Sequence, residues 1–156
     1  MAVYYPAFLD LAGKKVVVVG GGVVAERKIM TLLACGAAVT LISPQLTARL
    51  ERLAQQGTIL VRRRSYAPGD MEGAYLAVVG SNDSAVNRQA AEEGRRVGAL
   101  VNTVDNLAYC DFIAPAVVER GGFILAISTN GKSPAMARLV RQELQAYLRA
   151  RPLKDE

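Results

Sequence analysis

The segment Val19-Gly20-Gly21-Gly22-Val23-Val24-Ala25 joins an apolar strand end to the spacing Gly-x-Gly-x-x-Ala, which lets a backbone turn tightly beneath a pyrophosphate. Gly20 suits the turn, Gly22 the close approach of phosphates, and Ala25 is small enough for a helix and a sheet to pack closely. A helix opening here brings free N–H groups and the positive end of its dipole to the phosphates. A glycine turn that binds nothing would show the same letters. The strand before it and the helix after it favour a nucleotide site at Gly20, Gly21, Gly22, Val23, Val24 and Ala25. The acid that commonly holds the ribose hydroxyls, about 20 residues further on, is missing, because the second apolar stretch ends Ile42-Ser43-Pro44-Gln45. Ser43, Pro44 and Gln45 are the remaining candidates for that contact, and nearby Arg49 could favour a 2′-phosphate.

The sequence contains no histidine. Ser-His-Asp triads, histidine bases and histidine-containing metal sites are therefore excluded, leaving carboxylates, tyrosine, lysine or water to move protons. Asp105 follows the apolar stretch Leu100-Val101-Asn102-Thr103, where an open α/β sheet places its ligand crevice. A turn or cap residue ahead of Asn106 is the plainer alternative. Cys35 and Cys110 lack CxxC spacing, so neither a disulfide framework nor a zinc site is expected, and both are read as buried apolar residues. A net charge of +5 favours acidic partners. With only nine aromatics and no basic helix or RNA motif, a nucleic acid is not favoured among them. No apolar run is long enough to span a membrane and the amino terminus lacks the pattern of a secretory signal, so a cytoplasmic protein with no membrane partner is expected.

The elements that would position these residues follow from periodicity. Val16 to Val19 reads as a parallel strand buried on both faces, and Val23 to Leu33 as a helix with Ala25, Ile29, Leu32 and Leu33 on one face. The rhythm repeats through a strand at 39–42, a helix at 46–54, strands at 58–61 and 75–79, a helix at 84–97 capped by Asn82 or Asp83, and a strand at 100–103. Five parallel strands of a Rossmann-type α/β sheet are the expectation. Beyond Asp105, stretches at 112–118 and 123–128 flank Gly121-Gly122 as a hairpin. Ser133-Pro134 then opens a last helix carrying Met136, Leu139, Val140, Leu144, Tyr147 and Leu148 as an apolar stripe. The expected division is a dinucleotide-binding domain over 1–111 and a hairpin-plus-helix element over 112–156 that forms a homodimer.

With the glycine turn, Asn102-Thr103-Val104-Asp105, Phe112-Ile113-Ala114-Pro115 and Ser128-Thr129-Asn130-Gly131-Lys132-Ser133-Pro134 in view, the chain resembles the precorrin-2 dehydrogenase/sirohydrochlorin ferrochelatase family, found as the N-terminal part of siroheme synthases. The resemblance runs nearly end to end. It implies oxidation of precorrin-2 to sirohydrochlorin with NAD+ as acceptor, and in many members insertion of a substrate Fe2+. It makes Asp105 the catalytic carboxylate, and places cofactor contacts at Val23, Val24, Pro44 and Gln45. Candidate substrate contacts are Asn102, Thr103, Ser128, Thr129, Asn130 and Arg138, with Lys132, Arg141 and the Arg62-Arg63-Arg64 run as further cations for the tetrapyrrole's carboxylates; for that run a solvated basic face is preferred. No permanent metal site is expected, and Asp105, with Asp111 second, is the available transient donor to iron. Family members commonly continue with a further helical segment, so dehydrogenation is the firmer expectation than chelation. The rival from another class is a regulatory nucleotide-sensing module without catalysis, which usually keeps the acid after the second strand.

Overall fold

The computed structural model describes residues 4–151 and divides them into two compact units, one of 7–112 and one of 113–151 joined by 4–6. The outer ends of both expected domains, 1–3 and 152–156, lie outside the described residues.

In the larger unit, five strands, β1 (Lys15–Val19), β2 (Ala38–Ile42), β3 (Leu60–Arg62), β4 (Leu76–Val79) and β5 (Leu100–Thr103), form one parallel sheet in the order β3-β2-β1-β4-β5. This is a Rossmann-type α/β fold. Strand side chains alternate in direction, so β1 feeds two cores at once. Val16 and Val18 join Ala25 and Ile29 of α1 (Val23–Ala34) and Leu50 of α2 (Ala48–Gln55) on one face. Val17 and Val19 join Ala90 and Ala91 of α3 (Ser84–Arg96), with Tyr66 and Met71, on the other. Because both faces are covered, the strands are continuous apolar runs and not alternating ones.

Helix boundaries follow their caps. The second helix starts at Ala48 and not Leu46, because the Thr47 hydroxyl accepts the N–H of Leu50. Asp83, not Asn82, caps α3 by accepting from Ala85 and Val86. The third strand begins two residues later and ends one residue later than its apolar letters suggest, pairing Ile42 with Arg62.

Arg62 and Arg64, preferred above as part of a solvated basic face, close instead on Asp70, whose side chain is 2% exposed. Arg64 grips both carboxylate oxygens at 2.7 Å, Arg62 donates to one of them, and the Ala67 N–H adds a third partner at 2.9 Å. Arg63 pairs with Glu51 of α2. The Arg64 fork, acting against burial and helped by Ala67 and Arg62, holds Asp70 down to about 2 from its ordinary 3.8. This carboxylate binds protons less readily folded than unfolded, so its stabilisation is complete above the ordinary value and disappears as pH falls through about 2. We expect Asp70→Asn to cost about 2 kcal/mol at neutral pH. Denaturant titrations should show that difference shrinking towards zero near pH 2.

In the smaller unit, β6 (Ala116–Arg120) and β7 (Phe123–Ile127) pair antiparallel, and α4 (Pro134–Ala150) packs on both. Gly121 and Gly122, at φ 50° and 75°, make the two-residue turn that matches strand twist. The hairpin's first strand begins at Ala116, four residues later than expected, because Phe112 packs into the core of the larger unit. Ser133 caps α4 with Pro134 in its first turn, as the sequence suggests. The helix's apolar surface is wider than the hairpin covers: Val140, Leu144 and Leu148 are half-buried, while Met136, Leu139 and Tyr147 stay exposed.

Candidate functional site

Register assembles one edge of the sheet. Arg62, Ile42, Val19, Val79 and Thr103 form a transverse row at the strands' carboxyl ends. The ladder runs one residue further, with Ser43 bonded to Arg62, Gly20 to Ile42, Gly80 to Val19 and Val104 to Val79. Strand order reverses between β1 and β4, where open parallel sheets bind their ligands. The glycine turn follows β1, Gly80 follows β4, and Asp105 lies two residues beyond the end of β5.

The three glycines of the turn do three different things. Gly20 has φ 104°, and a Cβ there would lie 2.4 Å from the carbonyl oxygen of Gly80. Gly21 packs against the β2–α2 turn, where a Cβ would come within 2.2 Å of the Gln45 carbonyl. Gly22 alone faces open space, with nothing within 4 Å of an added Cβ. It is the N-cap of α1, which no side chain caps, whereas Thr47, Asp83 and Ser133 cap the other three α-helices. The first two residues of α1, Val23 and Val24, are 76% and 41% exposed. A roomy approach and uncapped helix donors are the arrangement a diphosphate requires, so the residues fit a dinucleotide.

Side chains around the turn are less free than their letters suggest. Ser43 is buried and its hydroxyl donates to the Gln45 carbonyl at 2.7 Å, so it shapes the β2–α2 turn. Pro44 and Gln45 are exposed beside it. Arg49 stands 3.9 Å from Glu26 in the first turn of α1, and Thr47 donates to that same carboxylate.

Asp105 borders a cavity of about 270 Å3 lined by Asn87, Arg88, Thr103, Asn106, Tyr109 and the start of α3. The carboxylate is exposed, and its Oδ2 accepts an N–H from Asn87 at 2.9 Å. Asn106 is occupied as the cap of a 3-10 turn at Leu107–Tyr109, which leaves Asp105 free of the capping duty its position suggested. Thr103 is buried and its hydroxyl donates to the Asn106 carbonyl, holding the loop that carries Asp105.

Asn102, expected as a substrate contact, has an internal task. It is buried, its amide donates to the Phe112 carbonyl at 3.0 Å and reaches Cys110 Sγ at 3.6 Å, and its oxygen accepts from Lys28 Nζ at 2.9 Å. Lys28 is pulled below its usual pKa chiefly by burial and secondly by Arg27. Cys110 is buried as expected, but Cys35 is exposed at the end of α1. Its place just past the last helical turn puts it outside the packed face.

Ser128, Thr129, Asn130 and Arg138 belong to the smaller unit. Ser128 Oγ accepts the Asn130 N–H and Thr129 Oγ1 that of Ser133, so these hydroxyls build the turn from β7 into α4. Asn130 has φ 53°, within the range asparagine tolerates. Arg138 is exposed on α4.

Residues that sequence reasoning passed over are Asn87, Arg88 and Tyr109 at the cavity and Gly80 at the sheet edge. A signal for Asn87 existed: it shares the spacing of Ala90, Ala91 and Gly94, the buried face of α3, where an amide must find partners. Among the described residues no group of three or more Cys, Asp or Glu could hold a metal, and no helix is long and apolar enough to cross a membrane.

Comparison with known proteins agrees with this geometry. Residues 7–116 match the family model described as putative NAD(P)-binding, and residues 125–147 the one described as sirohaem biosynthesis protein central. Siroheme synthase of Nitrosococcus oceani is 38% identical over 145 residues, 93% of this chain and 31% of its own. That of Methylococcus capsulatus is 40% identical over 148 residues, 95% of this chain and 31% of its own. The chain thus spans about a third of the length of these relatives. The solved structure of SirC, precorrin-2 dehydrogenase, superposes with a TM-score of 0.82 at 33% identity, covering 92% of this chain and 71% of that one. With an uncapped glycine turn, a carboxylate two residues beyond the fifth strand and these matches over both units, the chain belongs to the precorrin-2 dehydrogenase family of siroheme biosynthesis, built on an NAD(P)-binding domain.

Proposed function

We propose that this chain oxidises precorrin-2 to sirohydrochlorin with NAD+ as acceptor. The observation that carries the reading is the presence, along one sheet edge, of an open helix N-terminus after Gly22 and a cavity bordered by Asp105. The reaction removes a hydride and a proton from the tetrapyrrole, so it needs an acceptor at one place and a base at another. When bound, NAD+ supplies the ring that takes up the hydride. The N–H groups at the start of α1 hold its diphosphate, Gly20 and Gly21 hold the turn in shape, and the exposed residues Pro44 and Gln45 meet the ribose in place of an acidic side chain. Asp105 accepts the proton. Arg88 at the cavity, and Ser128, Thr129, Asn130 and Arg138 in the smaller unit, are donors suited to the substrate's carboxylates.

Incubation with precorrin-2 and NAD+, followed by the absorbance of sirohydrochlorin and NADH, tests the reading. Cofactor binding without turnover would support a nucleotide sensor instead. The finer proposal of iron insertion also turns on Asp105, as base and transient donor to a substrate Fe2+, and calls for an iron-insertion assay on the same chain.

Pairing of two chains through the smaller unit belongs to the same proposal. Phe123, Ile124, Met136, Leu139 and Tyr147 are each at least half exposed there, an apolar surface larger than so small a unit can use alone. Light scattering at micromolar concentration should give twice the chain mass, and a monomer would refute the pairing.

A further inference from the structure

Asn87 is 3% exposed, and every polar atom of its side chain is engaged. Its orientation is set by the backbone. The Ser81 N–H can only donate, so the atom it meets at 2.9 Å must be Oδ1, which also accepts from Ser81 Oγ at 2.7 Å. Nδ2 then faces two acceptors, the Ser81 carbonyl at 3.0 Å and Asp105 Oδ2 at 2.9 Å. A flipped amide would set its N–H groups against the Ser81 N–H and its oxygen against two oxygens. Only one orientation survives.

That fixed amide acts on an otherwise unrestrained carboxylate. Asp105 is exposed, and among the described residues its only side-chain hydrogen bond is the one from Asn87. With one lone pair of Oδ2 taken by an N–H, Oδ1 is the oxygen with both lone pairs free to take a proton. The anchor of the amide also leads back to the cofactor turn. Ser81 follows Gly80, and Gly80's carbonyl is the group that leaves no room for a Cβ on Gly20.

Resting on the reading of Asp105 as base, we infer that Asn87 is a positioning residue: it ties Asp105 to the loop that borders the glycine turn and presents Oδ1 to the substrate. With both polar atoms of its side chain engaged within the protein, it acts through Asp105 and not through a ligand hydrogen bond of its own. Its effect is therefore on kcat and not on binding, since a reacting group displaced by about 1 Å can lose on the order of 100-fold in rate.

Two variants test this together. Asn87→Leu keeps the approximate shape and removes all four hydrogen bonds. Asn87→Asp keeps both bonds accepted from Ser81, and in place of the donor to Asp105 it sets a repelling carboxylate oxygen against it. Steady-state kinetics should show kcat lowered roughly 10- to 100-fold in each. KM for precorrin-2, KM for NAD+ and the calorimetric Kd for NAD+ should stay within about threefold of wild type. A purely structural Asn87 would instead loosen the β4–α3 loop, raising KM for NAD+ or lowering the melting temperature without moving kcat of the folded fraction. If Asn87→Leu fails to fold, Asn87→Asp decides alone. Wild-type turnover with an unchanged kcat in the folded variant overturns the inference alone, whereas no turnover by the wild-type chain overturns the functional reading and the inference with it.

Discussion

In the Asp105→Asn protein, kcat for precorrin-2 oxidation should fall by about 10²- to 10⁴-fold, the usual contribution of a positioned base, which is about 3–5 kcal/mol of barrier. NAD+ affinity should be nearly unchanged, because Asp105 lies beyond β5 while the candidate phosphate donors lie at the start of α1. Asparagine is the informative replacement. Its oxygen can still accept the Asn87 N–H, so the cavity keeps its shape and only the basic oxygen is lost. Asp105→Ala should lose activity to a similar extent, with a further cost of about 0.5–1.5 kcal/mol in stability for the missing hydrogen bond. An equal rate constant for the chemical step in wild type and Asp105→Asn, measured by single-turnover absorbance at saturating NAD+, would remove Asp105 from the chemistry.

Gly22→Asp should abolish measurable NAD+ binding, weakening it by at least about 100-fold, and yet leave the protein as stable as wild type or slightly more so. The position has φ −82° and ψ −175°, ordinary extended backbone, and an added side chain meets open space. Aspartate there is a good N-cap, so its carboxylate would occupy the very N–H groups proposed for the diphosphate and add a repelling charge. Gly20→Ala and Gly21→Ala should behave in the opposite way. Both place a Cβ against backbone oxygen, at 2.4 Å and 2.2 Å, so both should lower the melting temperature whether or not cofactor is present. Calorimetry together with thermal melts separates the two classes. An NAD+ affinity in Gly22→Asp equal to wild type would show that the turn is not the phosphate site.

Strand identity was legible wherever both faces of a strand are buried, as in Val16 to Val19, because a β-branched run that short, closed by glycines, favours a strand covered on both sides. The third strand was misplaced for the complementary reason. Leu60, Val61 and Arg62 lie at the sheet edge and carry little burial signal, so register with β2 decides their position. Phe112 read as the opening of the hairpin because it precedes an apolar run, but a single large side chain goes where there is a core to fill.

The amino-acid sequence by itself determined the fold class, the glycine turn and the carboxylate after β5. These rest on local spacing: small residues where the backbone must turn, continuous apolar runs in the strands and a period of 3.6 in the helices, and a polar residue where a strand ends. What each polar side chain is free to do was decided only by the tertiary structure. Ser43, Asn102 and Thr103 all read as ligand contacts, and all three direct their hydrogen bonds inward, since a buried polar group must find a partner or cost stability. The basic run at Arg62 to Arg64 found its partners in Asp70 and Glu51, the latter from a preceding helix. Asn87 came to face Asp105 across 18 positions of sequence because α3 and β5 pack side by side, a proximity that chain spacing does not encode.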